Sequence, residues 1–349
     1  MYKISFCIPS YNNARGVEVL CKTLLKTQYS DIQVVVVDNS STDDTIIRLS
    51  KLNDSRFKLV QNTENIGAKL NWYNALEQGD GEWLYLVMGR DMLDVSKMKQ
   101  MLDILATMKD DVGFLFDRKR ERFPYAYEKE EYTGIDAISM FINMLHPTGS
   151  IFRRSAYREC INREIYFSLE HPYPENYLKR DILKHYGGKM VDVGLYCGRF
   201  NVRKLPKSRF ETTPTKRQFF HPEKVTQQFL TDIQMIESEE EFNFTRKELD
   251  KYFVRRWASC IHRLSIDYKN NLASKQYAEH YGVQKRNVTR REMIDNIITA
   301  YKDVVKHYQL DATELSNCRK IRMIEKMIVQ IVCAILYNSK FKLQKRPYF

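Results

Sequence analysis

Over the first hundred residues, short apolar runs alternate with amphipathic stretches, and each apolar run ends in a cluster of polar turn residues. Ile4, Phe6 and Ile8 alternate with Ser5 and Cys7 before Pro9-Ser10-Tyr11-Asn12-Asn13, the pattern of a strand feeding a loop. Val17, Leu20, Cys21, Leu24 and Leu25 then recur at the spacing of one helical face, which predicts a helix over residues 14–28. The β-branched run Gln33-Val34-Val35-Val36-Val37 reads as a strand buried on both faces of a parallel sheet, ending at Asp38-Asn39-Ser40. Ser41-Thr42-Asp43-Asp44 matches a capping box that opens a second helix through Ile46, Ile47 and Leu49. Phe57 to Val60 is a third strand, Asn62 to Gly67 a loop, and Ala68 to Glu77 a helix closed by Gly79 and Gly81. Trp83 to Met88 is a fourth strand that stops at Gly89-Arg90-Asp91-Met92-Leu93-Asp94. Strict β, α alternation requires right-handed parallel crossovers, so this part predicts a nucleotide-type α/β sheet.

From 111 to about 220 the pattern is less regular. Strands are expected at Val112 to Phe116, Gly149 to Phe152 and Lys189 to Val193, with helices near 134–145 and 175–186, as the second half of one mixed sheet. Beyond residue 222 helical periodicity takes over, through Tyr252, Val254, Trp257 and Ile261, then Met293, Ile297 and Tyr301. The expected organisation is residues 1–110, 111–221 and 222–349: two halves of one α/β domain and a helical C-terminal region.

Composition narrows the class. A chain of 349 residues, 43% hydrophobic and 29% charged, with few Gly and Pro, excludes disorder and collagen-like repeats. Seven scattered Cys without a C-x-x-C pair argue against a disulfide framework or zinc knuckle. The N-terminus enters a strand at once and no apolar run reaches the length of a membrane span, so the expected location is the cytoplasm. Net charge is +12, yet residues 1–110 hold 13 Lys/Arg against 14 Asp/Glu, so the whole excess lies later in the chain.

In open α/β sheets ligands bind beyond the carboxyl ends of the strands. Pro9 to Asn12, Asp38 to Ser40 and Gly89 to Asp91 all fall there. These segments, with Asn65-Ile66-Gly67 and Asn71, resemble the family 2 glycosyltransferases of the GT-A fold, densely over the first 95 residues and more loosely to about 220. The resemblance implies a nucleoside diphosphate sugar donor, UDP first among them. It implies a base stacked on Tyr11 and bonded to Asp38, and backbone contacts from the Pro9–Asn12, Ser40 and Asn65–Gly67 loops. Asp91 matches the last acidic position of the family's metal motif, which holds Mg²⁺ or Mn²⁺ against the diphosphate. Met88 and Arg90 stand where acidic residues are usual, and Arg90 is placed to pair with a phosphate instead. His146 to Arg154 resembles the segment bordering the sugars, so Thr148 and Gly149 are expected to line that pocket.

Inverting transfer needs a general base for the acceptor hydroxyl. The segment Leu169 to Leu178 sits where the family carries it, making Glu175, after Pro174, the first candidate and Glu170 the second. Residues 319–349 carry eight Lys/Arg against the single acid Glu325, with Ile321, Ile324, Ile328, Ile331, Ile335 and Leu336 at helical spacing. That stripe either packs on the protein or a second subunit, or rests on an anionic membrane, as suits a peripheral enzyme with a glycan or lipid-linked acceptor. Two other classes compete. One is a sugar-nucleotide-binding protein impaired in turnover, for which Arg90 argues. The other is a nucleic-acid-binding protein, disfavoured by the absence of any helix-turn-helix, zinc or RNP-type motif. A nucleotidyltransferase would carry a Gly-rich loop where Pro9 to Asn13 has none.

Overall fold

The computed structural model describes residues 2–118, 131–142, 146–162, 175–199, 220–238, 244–274, 282–310 and 315–336. The chain divides into two compact units, Met1–Asn201 and Val202–Phe349.

The first unit opens with β1 (Ile4–Ser10), α1 (Ala14–Leu25), β2 (Ile32–Asp38), α2 (Thr45–Leu49), β3 (Phe57–Gln61), α3 (Ala68–Glu77) and β4 (Trp83–Leu86). It continues with β5 (Asp91–Leu93), α4 (Met98–Ala106), β6 (Val112–Asp117), β7 (Glu131–Tyr132), α5 (Gly134–Phe141), β8 (Ser150–Arg153), α6 (Arg154–Cys160), α7 (Glu175–His185), β9 (Gly187–Val191) and β10 (Tyr196–Arg199). Among the described residues one eight-stranded sheet runs β3-β2-β1-β4-β8-β6-β9-β7, and β5 pairs with β10 as a separate ribbon. β3, β2, β1 and β4 are mutually parallel, whereas β8 is antiparallel to both β4 and β6. Every residue of β1 and β2 is buried, as a strand covered by helices on both faces must be. The register pairs Ser10 with Asp38 and Asp38 with Gln61, which levels the strand ends that carry the polar loops.

The differences from the sequence pattern have local causes. α1 stops at Leu25 rather than 28 because other donors take its last carbonyls. Thr27 hydroxyl bonds Leu24 O at 2.7 Å, and the Arg56 guanidinium bonds the carbonyls of Leu25, Thr27 and Tyr29. The capping box at Ser41 does not form: Ser41 serves Asp38, Thr42 N donates to Asn12, and Asp43 accepts from Thr45 N at the start of α2. Residues 91–93, read as loop, form β5, with Asp91 and Leu93 buried and Met92 exposed. α6 follows β8 directly and carried no clear periodic signal.

Gly81 marks the tightest approach in this half. A Cβ there would stand 2.6 Å from Ser5 N and 2.7 Å from Ile4 C, atoms of a central strand that cannot move aside. We expect Gly81→Ala to destabilise the protein by about 2–3 kcal/mol, read as a lower urea midpoint at unchanged m-value.

In the second unit the described helices are α8 (Pro222–Glu237), α9 (Arg246–His262), α10 (Tyr268–Ala273), α11 (Arg290–Leu310) and α12 (Asn317–Leu336). α9 opens with a formed capping box between Thr245 and Glu248. Tyr252, Val254, Trp257, Ile261, Met293 and Ile297 are buried as their spacing predicts, while Tyr301 is half-buried. α12 takes one of the two placements that its sequence left open. It buries Arg319, Met323, Met327, Gln330 and Ala334, held by Trp257 Nε1 to Met323 O, Arg319 to Glu237 and Asp250, and Gln330 to Ser265. Its isoleucine stripe faces outward.

Candidate active site

The polar loops gather where the strand order turns back, with β1 flanked by β2 on one side and β4 on the other. Two non-glycine residues there hold left-handed backbone, Asn12 at φ 47° and Ser40 at φ 58°. Such strain persists only where surrounding bonds enforce it, and it concentrates at functional sites. The bonds are visible: Asn12 N donates to Ser41 Oγ, Asn12 Oδ1 accepts from Thr42 N, and Asn39 N donates to Ser10 O, all at 2.8 Å. Asp38 is fully buried and accepts from Ser41 N and Ser41 Oγ, which folds its loop around the carboxylate. Tyr11, on the facing loop, is 47% exposed, a free aromatic face beside that carboxylate's loop. The Ser10 hydroxyl is buried with no hydrogen-bond partner among the described residues.

Behind these loops lies a set of asparagines that the sequence did not reveal as a network. Asn39 donates to Asn65 and accepts from Asn62 and Ile66 N, Asn62 donates to Asn71, and Asn71 donates to Val37 O. Asn65 also accepts from Gly67 N, and Gly67 takes φ 83° at the mouth of α3. Asn65 is thus spent on shaping its loop, which leaves backbone groups of that loop to face a ligand.

The β4–β5 turn carries the second cluster. Asn13 Nδ2 bonds Gly89 O at 2.8 Å, Arg90 is exposed, and Asp91 is buried. The Thr148 hydroxyl donates to Asp91 Oδ2 and accepts from Met88 N at 2.9 Å. His146 Nε2 lies 3.5 Å from the same carboxylate oxygen, and its ring stacks on Tyr196 of β10 at 4.7 Å. Thr148 was expected to line the pocket. The approach of His146 to Asp91 was not, because β8 brings it there from more than fifty residues away. Asp94 caps the following turn through Ser96 N.

Asp117, at the end of β6, holds the ribbon that bears Asp91. Its carboxylate accepts from Tyr85 Oη, Gly194 N and Leu195 N, and Leu195 O in turn accepts from Asp94 N. Burial pushes Asp117 up to about 6 although these donors favour its charged form. A carboxyl with a higher pKa folded than unfolded stabilises the fold while protonated. Its contribution is therefore full below its ordinary 3.8 and is lost as pH rises through about 6. We expect Asp117→Asn to flatten the fall in urea midpoint between about pH 4.5 and about pH 7.

Of the two base candidates, Glu170 lies outside the described residues. Glu175 begins α7 and is only 2% exposed. Its charge acts inward, holding up the pKa of buried Lys179, which burial depresses, and raising that of Tyr73, which burial raises further.

The sequence profile of glycosyl transferase family 2 matches residues 5–161, the stretch that supplies every described part of this crevice except the 194–196 loop and β10. This segment is a family 2 glycosyltransferase domain. The chain is 21% identical over 225 residues to the Escherichia coli UDP-Glc:alpha-D-GlcNAc-diphosphoundecaprenol beta-1,3-glucosyltransferase WfgD, spanning 62% of this chain and 84% of that one. It is 28% identical over 177 residues to the Staphylococcus aureus poly(ribitol-phosphate) beta-N-acetylglucosaminyltransferase TarS, or 49% of this chain and 30% of TarS. The crystal structure of S. aureus TarS 1–349 in complex with UDP-GlcNAc aligns over 95% of this chain and 91% of that one, at TM-score 0.55 and 17% identity. That likeness establishes the GT-A fold, with its mixed, mainly parallel sheet between helices.

Proposed function

We propose that this glycosyltransferase moves a sugar, with inversion, from a UDP-sugar to a glycan or lipid-linked saccharide acceptor in cell-surface polysaccharide or glycoconjugate synthesis. One observation carries the reading: two buried carboxylates, Asp38 and Asp91, stand at the ends of adjacent polar loops, between them a strained backbone held by hydrogen bonds and an exposed tyrosine. The printed activities of WfgD and TarS support the donor and acceptor classes. Tyr11 stacks on the base, Asp38 accepts from its N3–H through lone pairs that Ser41 leaves open, and backbone near Pro9, Asn12, Ser40 and Gly67 follows the ribose and phosphates. This reading keeps the cytoplasmic location expected from the sequence.

A divalent cation fits the second cluster. Asp91 offers a hard carboxylate oxygen suited to Mg²⁺ or Mn²⁺, and the His146 imidazole beside it is a nitrogen donor that Mg²⁺ would leave unused. No three His, Cys, Asp or Glu side chains converge among the described residues, so diphosphate and water would complete its coordination. Bound there, the ion would supply positive charge against the leaving diphosphate. Arg90, exposed on the same turn, adds a phosphate contact. Glu175 and Glu170 are the two candidates for the base that takes the acceptor proton; the charge of Glu175 acting on Lys179 and Tyr73 favours Glu170.

The test is release of UDP from UDP-glucose, UDP-galactose and UDP-N-acetylglucosamine, with and without saccharide-diphospholipid acceptors. Turnover of one donor, accelerated by one acceptor, is expected. Binding of UDP without turnover of any donor would favour the impaired sugar-nucleotide binder that Met88 and Arg90 suggest.

A further inference from the structure

The outward stripe of α12 has a shape and charge of its own. Ile321, Ile324, Ile328, Val332, Ile335 and Leu336 are between 42% and 73% exposed, on the side opposite the Met323, Met327 and Ala334 seam that anchors the helix. At about 100° per residue these six side chains span an arc of about 120°. Arg322 and Lys326 lie beyond that arc on one side and Lys320 on the other, so the cations flank it, while the exposed Glu325 falls within it near the Leu336 edge. A helix that packs on protein buries its most apolar face; here the anchored face holds Arg319 and Gln330 and the exposed face holds the isoleucines.

We propose that this face lies in the interfacial plane of an anionic lipid membrane, with the isoleucines among the acyl chains and Lys320, Arg322 and Lys326 at the headgroups. Charge selects this occupant over a second copy of the chain. Residues 319–349 carry eight basic residues against Glu325 alone, so two such faces repel each other, whereas an anionic leaflet attracts both. The same segment continues with Lys340, Lys342, Lys345 and Arg346 interleaved with Phe341, Leu343 and Tyr348. No helix among the described residues is long and apolar enough to cross a membrane, so α12 rests on the surface. The inference is independent of the transferase reading, since its readout is lipid binding.

The full-length protein is sedimented with vesicles of phosphatidylcholine alone or with about 30% phosphatidylglycerol, at low and at high salt, and its oligomeric state is followed by analytical ultracentrifugation. The expected result is binding to the anionic vesicles only, weakened by salt. The double variant Ile328→Glu/Val332→Glu should lose at least about tenfold in affinity, and Arg322→Gln/Lys326→Gln a similar factor, at about fivefold per basic residue. Ile47→Glu, which removes an exposed isoleucine of α2, should bind as wild type does. All three substituted faces are exposed, and an unchanged thermal melt confirms that the fold is kept. Equal binding by wild type and Ile328→Glu/Val332→Glu overturns the proposal. So does a variant that dissociates a dimer without any change in lipid binding, which would assign the face to a second copy.

Discussion

Asp91→Asn is expected to lower kcat/KM for sugar transfer by about 10³-fold or more, the scale on which removal of a preorganised charge at a developing anion is felt. The amide retains the shape of the carboxylate and can still accept from the Thr148 hydroxyl, so cooperative unfolding should persist. What disappears is the negative charge buried beside His146. The loss should be accompanied by a change in nucleotide binding: Mn²⁺ strengthens UDP binding to wild type and leaves the variant unaffected. If Mn²⁺ still strengthens UDP binding to Asp91→Asn, the cation is held elsewhere and the assignment of Asp91 fails. Arg90→Ala on the same turn should weaken UDP binding with or without Mn²⁺, because a guanidinium acts on the phosphates directly.

The second large effect separates the two glutamates. Glu170→Gln should lower kcat by about 10²–10⁴-fold at nearly constant KM, as loss of a general base does. Glu175→Gln should keep kcat within about tenfold of wild type and instead destabilise the fold by about 3 kcal/mol, since it leaves the charge of Lys179 buried without its opposing carboxylate. Steady-state kinetics and urea unfolding of both variants decide the matter. The reverse outcome, in which Glu175→Gln is stable and inactive, returns the role of base to Glu175.

The nucleotide half of the site was legible because its chemistry is local. The continuous apolar runs of β1 and β2 each end directly in the residues proposed to hold the nucleotide, and a buried parallel strand has few other ways to end. Asp38, Tyr11 and Gly67 therefore sit at the strand and helix ends that periodicity marks. Contacts made across the sheet were not legible. His146 and Thr148 reach Asp91 only because β8 inserts antiparallel between β4 and β6, a placement that periodicity does not encode. The bond from Tyr85 to Asp117 crosses the same inserted strand, and the bonds of Asp117 to the 194–195 turn follow from the pairing of β6 with β9. Ser41 misled the reading for a different reason. A hydroxyl three residues before an acid suits a helix cap, but the Asp38 carboxylate competes for it and wins with two bonds. On α12 the period was legible and the side it presents was left open. Periodicity shows that a stripe exists, whereas the partners of Arg319 and Gln330 decide which stripe turns inward.

The proposed transfer requires a nucleotide seated over the ends of β1 and β2, and calorimetric titration of UDP into wild type and Asp38→Ala tests that most directly. Wild type should bind UDP with Kd of about 10–100 μM, and Asp38→Ala should lose about tenfold or more, because a buried acceptor for the base is gone. Tyr11→Ala, which removes an exposed ring, should also weaken binding while leaving the fold intact. Failure of wild type to bind UDP, or equal affinity in wild type and Asp38→Ala, would contradict the assignment of this crevice to the UDP-sugar donor.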